Sequence, residues 1–533
     1  MGFASLSFFV FLAGLMLAYF LVPKRSRWMV LLAGSFLYIG LNSPHTLIAL
    51  FASSAVAFVF ARKIETEQTM YTVRLEENRQ KWSDEEKKTN RKRTQKRKRV
   101  FLAAALVFLF GTLAVLKYVN FGIENFNLLL VLFGIEPIAQ ISWLMPLGIS
   151  IYTLQISGYL IDVYRGKYAA DRNFLQFLLF ASWFPQLVQG PISRHGVLAN
   201  QLYRGNDFDW NRAKSGALCM LWGLFKKMVI ADRLAMIVNP IFTGFEAQGY
   251  AGMYIWIALV LYSFQIYADF SGGMDVVLGI SEIFGIRMTE NFRRPMLAGS
   301  VAEFWQRWHI TLGSWMRDYL FYPLALSGPF NRLGKKLRKR FGPYVAKVAP
   351  ASLASLIVFT CVGVWHGAEW KYFVYGVYQA VFVSTATLLE PFYARTRQRL
   401  HINADRTWFR MMCMLRTFII IAFGRLLSRS TSLGAAMGML KAGLGEWNPS
   451  VLWDGSLLQF SVDTAGWIVL GIAWVIWMLV DAANEREIVV RRRIEKLPLP
   501  LRWVFYITAA MVVLIFGIYG PGFDAMNFIY GQF

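Results

Sequence analysis

The chain has 533 residues, of which 56% are hydrophobic and only 17% are charged. This composition excludes an ordinary soluble globular protein and indicates an integral membrane protein. The formal net charge is +24. Because the basic residues cluster in loops between apolar runs, we interpret this charge as the bias of cytoplasmic loops toward Lys and Arg, and we expect no nucleic-acid partner.

Apolar runs that could cross a bilayer recur along the whole chain. A membrane helix needs about 20 mostly apolar residues, and long continuous runs favour helices over the alternating strands of a barrel. The runs lie at 2–22, 28–42, 46–61, 101–119, 139–161, 213–231, 250–270, 350–366, 371–390, 408–424, 464–481 and 503–520. They predict an all-α polytopic membrane protein with about 11 to 13 transmembrane helices in contact with membrane lipid.

Basic segments between these runs predict the topology. In the first run the basic cluster follows the apolar stretch, so we expect a retained helix and no cleaved signal. We expect the segments 62–100, 332–347, 394–410 and 486–502 to face the cytoplasm. Counting apolar runs between them predicts that the N-terminus lies outside, and that the C-terminus does too if the last run spans the membrane fully.

We expect one membrane domain over 1–533. It comprises N-terminal helices at 1–61, a basic cytoplasmic loop at 62–100, connecting helices at 101–142, a central block at 143–370 and C-terminal helices at 371–533. The loop mixes both signs of charge, which predicts a solvated helix or a partly disordered linker. An inert extension, a docking site and a contact with anionic lipid are alternative roles for it.

The central block differs from its flanks because Gly, Pro and ionisable residues interrupt its apolar runs. Segment 182–191 contains two prolines and cannot be one regular helix. Segment 267–273 holds an aspartate, a serine and two glycines, and we expect the backbone to be interrupted there too. Broken backbone at membrane depth requires burial in protein or a wet cavity, so we predict re-entrant or interfacial helices around a central tunnel.

Two of the five histidines have unusual settings. His309 lies in 303–319, where helical spacing predicts one amphipathic helix, and an interfacial helix with an aromatic belt is the alternative to a site. His366 ends an apolar run and precedes a turn of small residues, which predicts the apex of a helical hairpin. Its imidazole could act as a general base oriented by Glu369, or it could simply bond a helix-terminal carbonyl.

Several classes of site have no support in the sequence. There is no serine-hydrolase elbow, phosphate-binding loop or zinc motif. The three cysteines are far apart and predict neither disulfides nor a thiolate site. We expect no metal and no bound cofactor.

Seven short motifs follow one another across the central block. They are PLGISIYTLQ at 146–155 with YLIDVYRG at 159–166, WFPQ at 183–186 with GPI at 190–192, YADFSG at 267–272, NFRRP at 291–295, FWQRWH at 304–309, RDY at 317–319 and WHGA at 365–368. In this order they resemble the membrane-bound O-acyltransferase (MBOAT) family, in its alginate O-acetyltransferase-like branch. The insertion at 62–100 and the glycine pair at 272–273 depart from that branch.

The resemblance implies a catalytic His366 at the floor of a tunnel and a second characteristic histidine, His309, nearer the cytoplasm. It implies acyl transfer from a cytoplasmic thioester, such as acetyl-CoA or an acylated carrier protein, for O-acetylation of an exported polysaccharide such as alginate. A separate extracytoplasmic esterase-like partner and a bacterial inner-membrane location are implied as well. His309, Gln306 or Trp305 would steady the oxyanion or position the thioester.

Other residues of these motifs are expected to bind substrate or line the tunnel. They are Trp305, Gln306, Asp318, Tyr152, Gln155, Asp269, Ser271 and Trp365.

Three other functions remain open. D-alanyl transfer to teichoic acid is the sibling reaction. A transporter or flippase would use both histidines as proton-relay groups. A scaffold in a polysaccharide-secretion complex would explain the helices but not the clustered polar residues.

Overall fold

The computed structural model describes residues 1–142 and 144–519, and their regular structure is helical, with one isolated bridge between Phe292 and Trp308. Trp143 and 520–533, which include the end of the predicted C-terminal helices, lie outside the described residues. The all-α fold class is confirmed.

The first half of the chain forms twelve α-helices within the described residues. They are α1 (Leu6–Leu21), α2 (Arg27–Asn42), α3 (Pro44–Glu77), α4 (Asp84–Leu132), α5 (Ile149–Tyr164), α6 (Phe174–Ser182), α7 (Phe184–Gln189), α8 (His195–Tyr203), α9 (Trp210–Leu224), α10 (Asp232–Thr243), α11 (Phe245–Gln248) and α12 (Met253–Ile283). A π-helical turn, Phe225–Ala231, separates α9 from α10, and Lys24–Ser26 is a 3₁₀ turn.

The second half of the chain continues with helices α13 to α23, again counted within the described residues. They are α13 (Val301–Arg307), α14 (Ile310–Met316), α15 (Tyr322–Ala325), α16 (Gly328–His366), α17 (Trp370–Leu388), α18 (Glu390–Arg399), α19 (Thr407–Arg429), α20 (Leu433–Gly445), α21 (Thr464–Glu485), α22 (Val490–Ile494) and α23 (Leu499–Phe516). Arg317–Phe321 is a second π-helical turn, and Pro295–Leu297, Pro449–Leu452 and Ser456–Phe460 are 3₁₀ turns. Helix α16 is kinked at Gly342, where φ is 82°.

Fewer helices could cross a membrane than the apolar runs predict. Within the described residues, α3, α4, α12, α16, α19, α21 and α23 are long and apolar enough, and α17 with α18, bent by 58°, would make an eighth. The runs at 28–42 and 139–161 form α2 and α5, which have only 16 residues each. At 1.5 Å per residue such helices are about 24 Å long, shorter than a bilayer core of about 30 Å. The protein is nevertheless a multi-pass membrane protein.

The helices group into two compact units. One contains Phe3–Lys214 with Ile280–Thr289, and the other contains Ser215–Gly279 with Glu290–Phe533, as far as the described residues extend.

In the first unit, the charged segment 62–100 is helical apart from a turn at 78–83. It forms the end of α3 and the start of α4, where a capping box joins Ser83 and Glu86. The two helices are linked by an ion pair of Arg97 with Glu67 and by a hydrogen bond from Lys98 to Gln68. Of the two structures expected for this segment, the solvated helix is the one observed.

The first unit also contains the predicted break at 182–191. Helix α6 ends at Ser182 and α7 begins at Phe184, with Trp183 in a non-helical conformation between them. The two prolines therefore have the effect that the sequence predicts. Helix α5, which carries Tyr152 and Gln155, is buried along most of its length in this unit.

In the second unit, the predicted interruption at 267–273 is wrong, because α12 continues through it as a regular helix. A Cβ atom placed on Gly272 would lie 2.7 Å from the carbonyl oxygen of Gly223, and one on Gly279 would meet the carbonyl oxygen of Gly216. The glycines therefore permit close contact with α9 rather than breaking α12, which is the usual role of small residues between membrane helices.

We expect Gly279→Leu to lower the melting temperature of the detergent-solubilised protein by several degrees, because overpacking a close helix contact costs about 1–3 kcal/mol. Gly471→Leu in α21 is the control, since a Cβ there meets no heavy atom within 4 Å. Scanning fluorimetry compares the two variants. Equal melting temperatures would contradict a packing role for Gly279.

Candidate active site

His366 lies at the apex of a helical hairpin, as the sequence predicts. Helix α16 ends at His366, and α17 starts at Trp370 after an extended Gly367. Close packing holds the two helices together, since a Cβ on Gly363 would come within 3.0 Å of the Cα of Gly376. The imidazole of His366 is buried, with 8% of the residue exposed. The carboxylate of Glu369 forms an ion pair of 3.0 Å with Lys371.

A small cavity opens beside this imidazole within the second unit. Its lining residues are Tyr262, Ile266, Phe304, Trp308, His366, Tyr372, Tyr375, Arg425 and Ser428. The cavity volume is about 40 Å³. One water needs about 10–15 Å³ on this measure, so the cavity can hold about three heavy atoms. The lining is mainly aromatic, and His366 and Arg425 bring a possible base and a positive charge to it.

The predicted single helix over 303–319 is wrong, because the chain breaks at Trp308 and His309. Helix α13 ends at Arg307 and α14 begins at Ile310, with His309 between them in the left-handed region at φ 46°. A bridge between Phe292 and Trp308 and a hydrogen bond of 2.9 Å from Ile310 N–H to the Asn291 carbonyl hold this break. The aromatic spacing predicted a helix, but tertiary pairing with 291–292 determines the local backbone.

The Asn291 side chain fixes the tautomer of His309. Its Oδ1 accepts hydrogen bonds from the backbone N–H of Thr311 at 3.0 Å and from the Thr311 hydroxyl at 2.8 Å. Because this atom is therefore the amide oxygen and accepts only, Nδ1 of His309, 3.2 Å away, must donate to it. In neutral His309 the Nε2 atom then carries the lone pair.

The indole of Trp365 packs against both histidines. Its ring centroid lies 5.1 Å from that of His366 and 6.2 Å from that of His309. Phe270 of α12 packs edge-on against His309 at 5.0 Å. The structure thus brings the two predicted catalytic histidines and Trp365 together in one aromatic cluster.

Three other predicted site residues, Trp305, Gln306 and Asp318, do not line this cavity. Trp305 donates from Nε1 to Gln379 Oε1 at 3.2 Å, and Gln306 is exposed. Asp318 forms an ion pair with the adjacent Arg317 and has 38% of its side chain exposed. None of these placements tests a role in binding substrate.

Asp269 and Ser271 belong to a buried cluster with two lysines of the π-helical turn. Lys227 Nζ lies 2.5 Å from Asp269 and 2.8 Å from Asp232. The adjacent Lys226 donates to Ser271 at 2.9 Å and pairs with Asp275 at 2.7 Å. The seven motifs do not include these lysines, although two cations inside the apolar run 213–231 were a visible signal.

Tyr152 and Gln155 lie in the first unit. Gln155 donates to the Phe180 carbonyl at 2.9 Å and accepts from the amide of Gln186. Tyr152 is buried nearby in the same helix. Within the described residues, no group of three or more His, Cys, Asp or Glu side chains could hold a metal.

Comparison with known proteins identifies the family. The model of the "MBOAT, membrane-bound O-acyltransferase family" matches residues 165–424. A probable alginate O-acetylase of Pseudomonas syringae pv. tomato is 33% identical over 374 residues, which cover 70% of this chain and 66% of the relative. The chain belongs to the membrane-bound O-acyltransferase family. The resemblance seen in the seven motifs is therefore confirmed.

Two further relatives differ in the reaction that their names describe. A peptidoglycan O-acetyltransferase of Helicobacter pylori is 29% identical, with 65% of each chain covered. A teichoic acid D-alanyltransferase of Bacillus subtilis is 26% identical and covers 52% of this chain and 67% of its own. The matches span about two thirds of each relative's length. Family membership favours an acyltransferase over a transporter or a scaffold, and the O-acetylating relatives are the more similar ones.

We expect Lys227→Met to destabilise the protein strongly, because it leaves the buried carboxylates of Asp232 and Asp269 without this cation. Breaking a buried ion pair costs about 3–5 kcal/mol, whereas replacing all its members can be neutral. The triple variant with Asp232→Asn and Asp269→Asn should therefore recover much of the lost melting temperature. Lys441→Met, at an exposed position of α20, is the control. A Lys227→Met protein as stable as the wild type would contradict a stabilising role for the ion pairs of Lys227.

Proposed function

We propose that this protein is an O-acetyltransferase that modifies an exported polysaccharide such as alginate. The acetyl group comes from a cytoplasmic thioester, with acetyl-CoA as donor substrate and no cofactor bound. The observation that carries the proposal is the buried His366 on a cavity of acetyl size, in a family whose more similar relatives are named for O-acetylation.

His366 acts as the general base in this reaction. It takes the proton of the acceptor hydroxyl while the hydroxyl oxygen attacks the thioester carbonyl carbon. The carbon–sulfur bond then breaks, and the thiolate leaves and takes up the proton that His366 accepted. A positioned base contributes about 10²–10⁴-fold to the rate.

The surroundings of the site fit such a donor and acceptor. Coenzyme A and acidic carrier proteins are polyanions, which the basic segments proposed to face the cytoplasm would attract. Helices of the size found here would separate the donor from an acceptor on the other face of a bacterial inner membrane. We propose that an extracytoplasmic esterase-like partner carries the acetyl group onward to the glycan.

We expect His366→Asn to reduce thiol release from acetyl-CoA by about 10²-fold or more, because an amide cannot accept the hydroxyl proton. Purified protein is assayed with a thiol reagent, and acetyl esters on the exported glycan are measured in a strain that carries the same variant. His401→Asn is the matched control, since His401 is exposed and its φ of 50° suits asparagine. Activity of His366→Asn within a few-fold of the wild type would reject the assignment.

A labelling experiment separates acetyl transfer from D-alanyl transfer. Labelled acetyl and labelled D-alanyl thioesters are offered in parallel, and label is measured on the glycan fraction. Incorporation of D-alanine in place of acetate would overturn the proposal in favour of D-alanylation.

The cavity also predicts selectivity for short acyl chains. About 40 Å³ holds the three heavy atoms of an acetyl group, so we expect acetyl-CoA to react at least 10-fold faster than octanoyl-CoA. Ile266→Ala, which removes part of the wall, should improve butyryl-CoA relative to acetyl-CoA. Equal rates for acetyl and octanoyl donors would show that this cavity does not hold the acyl group.

A further inference from the structure

A buried arginine shares the cavity wall with His366. Arg425 lies within α19, one residue after the last position of the family match, and only 3% of the residue is exposed. Its Nη1 donates to the carbonyl oxygen of Ser263 at 2.8 Å. Its guanidinium carbon lies 4.9 Å from the ring centroid of Trp308 and 5.6 Å from that of Phe304.

These contacts fix the guanidinium in one orientation. The Ser263 carbonyl anchors one nitrogen, and the faces of two aromatic rings hold the plane by cation–π contact. Trp308 and Phe304 are themselves stacked, with ring centroids 5.6 Å apart. Arginine stays protonated under all ordinary conditions, so this is a fixed positive charge with forked donors at the edge of the cavity.

The charge complements the chemistry of His366. Attack of a hydroxyl on a thioester moves negative charge onto the carbonyl oxygen, and a preorganised donor in a site that excludes water stabilises that charge strongly. A histidine that accepts a proton does not supply such stabilisation. The cavity brings both kinds of group to one small volume.

We propose that Arg425 binds the carbonyl oxygen of the acyl donor and stabilises the oxyanion that forms there, an inference that rests on the proposed acyl transfer. The acceptor oxygen bonds to the carbonyl carbon, its proton passes to His366, and the negative charge develops beside Arg425. When the carbon–sulfur bond breaks, the carbonyl re-forms and the thiolate takes up the proton.

Arg429 provides a matched control on the same helix. It also stacks on aromatic rings, with its guanidinium carbon 5.4 Å from Phe242 and 5.8 Å from Tyr262. It donates to Asn239 Oδ1 at 2.7 Å, and it does not belong to the lining of the His366 cavity. A variant at Arg429 therefore removes an arginine from the same helix without removing a group from the proposed site.

The test compares Arg425→Met, Arg425→Lys, Arg425→Ala, Arg429→Met and His366→Asn as full-length protein in detergent, with acetyl-CoA as donor. We expect Arg425→Met to lower kcat/KM by about 10²–10³-fold, mostly through kcat, as for loss of one oxyanion donor. Arg425→Lys should retain an intermediate rate, because the charge remains but the fork is lost. Arg429→Met should stay within about threefold of the wild type.

Chemical rescue separates a direct role from a structural one. Free guanidinium ion at millimolar concentration should restore part of the rate of Arg425→Ala and none of the rate of His366→Asn. Melting temperatures establish that each variant is folded, and if Arg425→Ala is not folded, the Met and Lys variants decide.

The outcomes separate the role of Arg425 from the proposed acyl transfer on which that role rests. Loss in His366→Asn with Arg425→Met within threefold of the wild type would overturn the role of Arg425 alone. Equal loss in the Arg425 and Arg429 Met variants, or folded Lys and Ala variants that are both inactive and not rescued, would make Arg425 a structural cation. An active His366→Asn would instead overturn the proposed function.

Discussion

The structure depends on compensation for polar and charged side chains that are buried among apolar helices. Such groups lose their hydration, and a helical membrane protein retains them only where a bonding partner or a wet cavity compensates for that loss. In the second unit, Lys227 is held between two carboxylates, and Arg425 by a carbonyl and two aromatic faces. Each arrangement requires backbone elements to meet closely. The glycines of α12 that face α9, and the pair Gly363 and Gly376 at the contact between α16 and α17, permit this close approach.

The same requirement explains why sequence periodicity failed at His309. The aromatic residues of 303–319 recur at helical spacing, and a helix would satisfy every backbone group locally. The structure instead satisfies part of that backbone through 291–292, with a bridge to Trp308 and an asparagine that bonds both Thr311 and His309. A pairing between segments that distant leaves no periodic signal. The NFRRP motif at 291–295 contained the partner, but nothing in it revealed which residue it would contact.

Prediction succeeded where a feature depends on neighbours in the sequence. The apolar runs gave the helical class, the prolines of 182–191 gave a break, and the turn after His366 gave a hairpin apex. Prediction failed where the role of a residue depends on a distant helix. In the sequence, Gly272 indicates a helix break, but in the structure it lies against Gly223 of a neighbouring helix. Arg425 follows an apolar run in the sequence, and only the structure shows that it packs on aromatic rings. The identity of a glycine or an arginine in the sequence does not specify which of several structural roles it has.

The tautomer of His309 bears on how the two histidines and the arginine divide their roles. Because Nδ1 donates to Asn291, neutral His309 can only accept a hydrogen bond at Nε2. An oxyanion needs donors, so a neutral His309 is poorly suited to stabilise it, although the sequence made it a candidate for that role. An acceptor at Nε2 is instead suited to orient a hydroxyl or a thiol proton. In the proposed acyl transfer, Arg425, which has donors and a permanent charge, is therefore the group for the carbonyl oxygen, and His366 is the group that takes the proton.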